Sequence, residues 1–347
     1  MAPGNRRVRR TKKHLTITRP VAGGVYFSVV VPAYNEEEVI GVCHAELRGI
    51  MDALNRPYEL IFVNDGSTDR TPSILRTLAR HDRHVRVIDL SRNFGHQIAI
   101  SAGLERARGG AVIVMDADLQ DPPPVIPRMI EKWNRGFDVV YGRRVKRERE
   151  SVFKRLSAWL FYRFLRALSG IPLPVDAGDF RLLDRKVCDA LNRMPERHRF
   201  LRGLVSWAGF RQTEVPYHRR PRRAGHSKFP LLKMIGFALD AVTSLSRKPL
   251  GLASLLGLLI SSGGLVYLVY SLVRFVSGRA VEGWTSLVAL LIIFNGALFL
   301  IVGILGEYIG RIYDEVKRRP LYCIDETIGF DRDEENTKKR RPAGGRN

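Results

Sequence analysis

The stretch VMDADLQDPPP, residues 114–124, gathers the oxygen-bearing side chains of Asp116, Asp118, Gln120 and Asp121 at the end of an apolar run, then halts in three prolines. Carboxylate and amide oxygens are hard ligands suited to Mg2+ or Mn2+. In an extended segment successive side chains alternate, so Asp116, Asp118 and Gln120 are expected on one side and Ala117 and Leu119 on the other. An ion held by so few protein ligands keeps open positions, which substrate phosphate oxygens commonly fill. A D-x-D alone also fits a solvated turn; the Gln, the further Asp and the prolines strengthen the metal reading.

Cations accompany these acids. Arg143, in the run YGRR, can grip a phosphate with its forked guanidinium, with Arg144 and Arg155 as weaker candidates. Residues 217–233, YHRRPRRAGHSKFPLLK, hold six Lys/Arg and no acid. Gly225 and Ser227 suit a flexible loop that closes over phosphates, with Ser227 and Lys228 as its contacts. Arg219, Arg220, Arg222 and Arg223 can equally rest on lipid headgroups alone. His96 and His226 lack companions at metal-ligand spacing, so loop or phosphate contacts are expected of them.

The elements that must position these groups follow from periodicity. Short β-branched runs (FSVVVP, YELIFVND, VRVIDLS, AVIVMD and FDVVYG) alternate with helical stretches near 36–54, after Asp69, near 97–108 and near 125–134. This alternation predicts an α/β domain with a parallel sheet covered on both faces. Ligands of such sheets sit outside the carboxyl ends of the strands. Tyr34 and Asn35 follow the first strand, Asp65 the second, Asp116 and Asp118 the fourth, and Arg143 the fifth.

The 347 residues carry a net charge of +22, so an acidic partner is expected: nucleic acid, anionic lipid or a phosphorylated substrate. Nucleic acid is disfavoured, because the basic clusters flank apolar surfaces and lack interleaved stacking aromatics. Cys43, Cys188 and Cys323 have no zinc or disulfide spacing, which suits a reducing compartment. Residues 249–273 and 285–306 contain no charged residue, and each is long enough to cross a hydrocarbon core of about 30 Å. The short connection RFVSGRAVEGW makes them a hairpin, and the excess of Lys/Arg outside it places the bulk of the chain in the cytoplasm. Around 151–168, Phe153, Leu156, Leu160, Phe161, Phe164 and Leu168 share a face bordered by Lys154, Arg155, Arg163 and Arg166. That pattern suits a helix in the membrane interface, or an ordinary core-facing amphipathic helix. FPLLKMIGFALDAVTSLS is a second interfacial candidate. The expected divisions are a basic arm at 1–26, a catalytic domain at 27–150, an acceptor-side and membrane-interface region at 151–248, the hairpin at 249–310 and a cytoplasmic tail at 311–347, disordered after Asp331.

Taken in order, VVVPAYNEEEVI, VNDGSTDRT, SRNFGHQIAISAGL, VMDADLQDPP, YGRR, AGDFRLLDR, AGHSKFPLLKM, two spans and GEYIGRIYDEVKRRP resemble the family-2 glycosyltransferases that load a sugar onto a polyprenyl phosphate. Among these, the bacterial polyprenyl-phosphate glucosyltransferases and undecaprenyl-phosphate aminoarabinose transferases are most similar, over roughly residues 27–330. The resemblance implies a GT-A, Rossmann-like nucleotide-sugar-binding domain with interfacial amphipathic helices and a C-terminal transmembrane hairpin. It implies that Asp118 and Gln120 hold Mg2+ or Mn2+, that Asp116 orders the donor or the metal shell, and that Pro32, Tyr34, Glu36 and Asp65 form the nucleoside pocket. The alternative for Asp65 is a turn, with Thr68 or Asp69 capping the next helix. Asp179, in GDFR, would orient the acceptor or take a residual proton; a salt bridge to Arg181 or another local cation is its alternative.

The implied partners are a nucleotide diphosphate sugar (a UDP-sugar favoured over GDP-mannose), polyprenyl phosphate, membrane lipid and further copies of the chain, with a tetramer as one arrangement. A non-catalytic nucleotide-sugar or lipid-carrier binder is the rival class. A processive polysaccharide synthase is disfavoured by the absence of Q-x-x-R-W and by the presence of only two spans.

Overall fold

The computed structural model describes residues 24–145, 177–220, 248–278 and 283–330. Arg155, Ser227 and Lys228, most of the basic arm, both expected interfacial helices and the tail beyond 330 lie outside the described residues.

Four strands, β1 (Phe27–Ala33), β2 (Tyr58–Asn64), β3 (Val85–Leu90) and β4 (Ala111–Val114), form the parallel centre of the sheet. The connecting helices are α1 (Ile40–Ala53), α2 (Thr71–His81) and α3 (His96–Arg106). β1 is buried along its whole length, as its largely apolar run FSVVVPA requires of a strand covered on both sides, with the buried Ser28 hydroxyl donating to Glu59. Its side chains divide by the two-residue period. Phe27, Val29 and Val31 pack with Ile40, Leu47, Leu75 and, from α4 (Ile126–Asn134), Met129 and Trp133. Val30 faces the opposite core with Ala99, Ile100 and Leu104 of α3. Gly103 lets α3 lie against β1, since a Cβ there would meet Cγ1 of Val30 at 2.3 Å.

The remaining elements are β5 (Val139–Arg144), β6 (Ala177–Asp184), α5 (Arg185–Arg193), α6 (Leu201–Trp207), β7 (Gln212–Tyr217) and, late in the chain, β8 (Ile324–Ile328). The eight-stranded sheet has the order β7-β5-β6-β4-β1-β2-β3-β8. It is mixed rather than wholly parallel: β6 runs antiparallel between β4 and β5, and β8 runs antiparallel along the edge of β3. The sheet therefore draws three strands from outside residues 27–150.

The two apolar segments form α7 (Lys248–Val276) and α8 (Trp284–Lys317), both long and apolar enough to cross a membrane. They touch where Gly264 lies beside the Phe294 ring, and their other large apolar side chains are mostly exposed. α8 continues past the expected end at 306 into a charged stretch and closes with Arg318 in the left-handed region. There the chain turns back to the domain. Arg197 N donates to Glu315 Oε1 at 2.8 Å, His198 meets Asp314 at 3.3 Å, and β8 follows.

Candidate active site

The carboxyl ends of β1 and β2 carry two loops that bind each other. Asn35, with φ of 55°, accepts Thr68 N on Oδ1 at 2.8 Å while its own N–H donates to Ser67 Oγ at 2.9 Å. Glu36 N donates to Thr71 Oγ1 at 2.9 Å, and Glu37 N to Asp69 Oδ2 at 3.2 Å. Pro32 is buried within β1, Glu36 is half-buried, and Tyr34 stands 41% exposed at the rim. Asp65 is buried and accepts Phe94 N at 2.7 Å and Gly95 N at 3.0 Å. Burial raises its pKa and the two backbone donors oppose that rise. Its carboxylate thus supports the loop that leads into α3, while Asp69 Oδ1 accepts Thr71 N at the start of α2.

The 115–121 segment is a turn rather than an extended strand, because Leu119 takes φ of 56°. The expected division survives by another route. Ala117 and Leu119 are buried, Asp116, Asp118 and Gln120 are half-buried, and Gln120 N donates to Asp118 Oδ1 at 3.1 Å. The turn also draws in Arg220, whose N–H donates to the Gln120 carbonyl at 2.9 Å while its guanidinium reaches Glu46 of α1 at 2.8 Å. Asp121 is fully buried and accepts the Tyr217 hydroxyl. Arg144 and Arg219 approach it at 3.7 and 3.9 Å.

Two oxygens at this turn, Asp116 Oδ1 and Asp121 Oδ2, are buried with no hydrogen-bond donor. Desolvation pushes Asp116 up to about 6; His96 opposes the rise, and the carboxylates of Asp179, Asp121 and Asp118 add to it. His96 lies 3.4 Å from the Asp116 oxygen and Arg144 3.7 Å from that of Asp121 without hydrogen-bonding either, and such crowded hard oxygens fit a divalent cation. Among the described residues no group of three or more His, Cys, Asp or Glu converges as a ready-made metal nest.

Asp179, on β6, is buried and held from several sides. Arg202 of α6 grips both its oxygens at 2.9 and 3.0 Å, Gln97 donates at 3.1 Å, and Arg181 lies at 3.6 Å. Burial alone would raise its pKa, but His96 and the two guanidiniums outweigh that and hold the carboxyl well below its ordinary value. The ion-paired alternative is thus the arrangement present, and it makes Asp179 a weak base. His96, at the first turn of α3, places Nε2 3.4 Å from Asp116 and 3.5 Å from Asp179. Desolvation works against its charge, yet Asp179 and Asp116 prevail and raise its pKa.

The two arginines of β5 diverge by strand alternation. Arg143 pairs with Glu214 on β7 at 2.8 Å, away from the acidic turn. Arg144 donates to Tyr217 at 3.3 Å and faces Asp121. Arg144 thus lies beside the acidic turn, while Arg143 is paired with Glu214. Sequence reasoning missed Arg202 and Gln97 and gave His96 no such bridging place. The run FGHQ offered the last two as a signal; Arg202 sits in the basic stretch 197–202, which has no period that points to Asp179.

The central strands thus end in two interlocked loops and an acidic turn. Residues 28–191 match the model of Glycosyl transferase family 2. The chain is 50% identical over 308 residues to the uncharacterized glycosyltransferase YkcC of Bacillus subtilis (strain 168), covering 88% of this chain and 95% of that one. It is 40% identical to the SfII prophage-derived bactoprenol glucosyl transferase of Shigella flexneri, over 86% of this chain and 97% of the other. The prophage bactoprenol glucosyl transferase homolog of Escherichia coli (strain K12) is also 40% identical, over 86% and 97% of the two chains. The chain belongs to glycosyl transferase family 2 and is a glycosyltransferase.

Proposed function

We propose that this enzyme transfers a sugar, with inversion, from a nucleotide diphosphate sugar to polyprenyl phosphate at the cytoplasmic face of the inner membrane, in a reaction that needs Mg2+ or Mn2+. A UDP-sugar is favoured over GDP-mannose, in keeping with the bactoprenol glucosyl transferases among its relatives. The observation that carries the metal and phosphate reading is the pair of donorless carboxylate oxygens, on Asp116 and Asp121, set among arginines at the carboxyl ends of the strands.

Asp118 and Gln120 would hold the ion, with Asp116 ordering its shell; when bound, it offsets the charge that develops on the departing diphosphate. The floor of Pro32, Tyr34, Glu36 and Asp65 receives the nucleoside. Arg144 and Arg219 add cations beside the turn. Arg143, Arg155, Ser227 and Lys228 stay in the proposal as acceptor-phosphate contacts, Arg143 only if it releases Glu214.

An acceptor phosphate oxygen attacks the anomeric carbon from the face opposite the nucleotide, forming one C–O bond as the bond to the diphosphate breaks, so an α-linked donor gives a β-linked product. A phosphate monoester with a second pKa of about 6 is already largely ionised at neutral pH, so a strong base is not needed. Asp179, fixed by Arg202, suits orientation of the acceptor better than proton abstraction. The hairpin of α7 and α8 holds this chemistry at the lipid surface, and homo-oligomers, four chains among them, would bring several hairpins together.

The test is incubation of the purified full-length protein with polyprenyl phosphate, Mg2+ or Mn2+ and a panel of nucleotide sugars. Nucleoside diphosphate and lipid-linked sugar should appear together with at least one donor. Release from none would favour the non-catalytic binder, and undiminished transfer under thorough chelation would remove the metal.

A further inference from the structure

Three polar side chains stand in a row across adjacent strands. Asn64 of β2 is the register partner of Asp89 of β3, and Asp89 is the register partner of Glu326 of β8. Two carboxylates directly opposite on neighbouring strands repel, so Asp89 and Glu326 disfavour the docking of β8 unless a cation lies between them. Arg76 of α2 is that cation. Its Nε donates to Glu326 Oε2 at 3.0 Å and its Nη2 to Asp89 Oδ2 at 3.0 Å.

The row then reaches the donor loops. Asp89 Oδ1 accepts from Asn64 Nδ2 at 2.5 Å, Asn64 Oδ1 accepts Ser67 N at 3.2 Å, and Ser67 Oγ accepts Asn35 N at 2.9 Å. Asn64 is 1% exposed and Asp89 8% exposed, so solvent cannot readily replace these bonds. Asn64 immediately precedes Asp65, and both contact segments that shape the proposed nucleoside floor.

We infer that Arg76 is a positioning residue for the donor site, and that the strand following α8 takes part in donor binding through it. Glu326 holds the outer end of Arg76, Asp89 relays that constraint to Asn64, and Asn64 sets the turn at Ser67. The segment that returns from the membrane helix thereby becomes a structural support of the nucleotide floor. This rests on the proposed use of that floor for a nucleotide diphosphate sugar.

The experiment uses the full-length protein in lipid nanodiscs and compares Arg76→Met, Arg76→Lys and Glu326→Gln with the wild type. Two readouts are taken, kcat and KM for each substrate, and uridine diphosphate affinity by calorimetry without acceptor. Thermal unfolding establishes that each variant is folded. Arg76→Met should raise the donor KM and the nucleotide Kd by about tenfold, in the range of a lost charged hydrogen bond, with kcat and the acceptor KM near wild type. Arg76→Lys should recover part of the loss, and Glu326→Gln should give a smaller shift in the same direction. A folded Arg76→Met protein with unchanged donor KM and Kd would overturn the inference and leave the transferase reading standing. Equal losses in both substrates' KM, or a fall in kcat alone, would also overturn it. A wild type that binds uridine diphosphate but turns over no donor would defeat the transferase reading, and the Kd comparison would still decide the role of Arg76. Failure of the wild type to bind the nucleotide would defeat both.

Discussion

On the side of the cleft built from the loops after β1 and β2, the backbone amides of Asn35, Glu36, Glu37, Ser67 and Thr68 each meet a side-chain oxygen. On the side built from residues 116–121, Asp118 and Asp121 add like charge to Asp116, and two carboxylate oxygens make no hydrogen bond although His96 and Arg144 lie 3.4 and 3.7 Å from them. In the first region these amides are satisfied within the protein. The second carries a desolvation cost that a cationic partner would relieve. The contrast separates loops held by hydrogen bonds from a turn where charge is balanced at longer range by His96, Arg144 and Arg219.

The contrast breaks most sharply at the acidic turn. Asp118→Ala should cut sugar transfer by about 10³-fold while the protein remains folded and membrane-bound, on the scale of losing a principal electrostatic stabiliser. Nucleoside diphosphate release together with circular dichroism checks this, and near-normal turnover would sink the metal assignment.

Next comes Asp179, where acid and cations already match. Asp179→Asn should lower kcat by about 10²-fold, typical of a lost positioning or acid–base group. Because the native carboxyl is held below its ordinary value, its ion pairs contribute stability in full above the unfolded pKa of about 3.9 and lose it as pH falls through the native value. A plot of Tm against pH should show that acid limb in the wild type and flatten in the variant. Asp179 does not itself titrate near neutrality, and a shift of the pH–rate profile there would follow from His96 and Asp116, whose pKa values it raises.

Within the donor floor, Asp65→Ala should destabilise the fold by about 1–3 kcal/mol, because two amides in the loop before α3 lose their acceptor. Urea unfolding measures the loss. The smallest effect is expected at Arg143. Its pair with Glu214 is two-fifths exposed on both sides, and such pairs contribute about 0–1 kcal/mol. Arg143→Ala should leave Tm within a few degrees, and an acceptor KM shifted less than by Arg144→Ala would fix which of the two β5 arginines matters more.

Much of this arrangement was legible in the residues and some was not, for physical reasons. FSVVVP, YELIFVND, VRVIDLS and AVIVMD announced the first four strands because each is almost wholly buried, and FDVVYG announced the fifth through its buried Val139 and Val140. QTEVPY and IDETI gave no such signal, since edge strands need little apolar surface, and β6 was read for its Asp179 rather than as a strand. Pairing direction is a tertiary matter, and nothing local in AGDFRLLD says that it runs against β4 and β5. D-x-D-x-Q could be picked out because its ligands are neighbours in the chain. The grip of Arg202 on Asp179 spans 23 residues, and that of Tyr217 on Asp121 spans 96, distances over which no spacing rule reports contact.

The length of α8 has a mechanical consequence. At about 1.5 Å per residue its 34 residues measure about 51 Å, roughly 20 Å more than a hydrocarbon core of about 30 Å. In the proposed membrane-spanning arrangement that surplus would act as a spacer, and its far end meets the domain at Arg197 and His198. A single residue inserted into it would lift the domain by only about 1.5 Å but swing it by about 100° around the helix axis. If α8 spans a bilayer as proposed, the domain's placement on it is phased like a key on a shaft, with orientation far more sensitive than height.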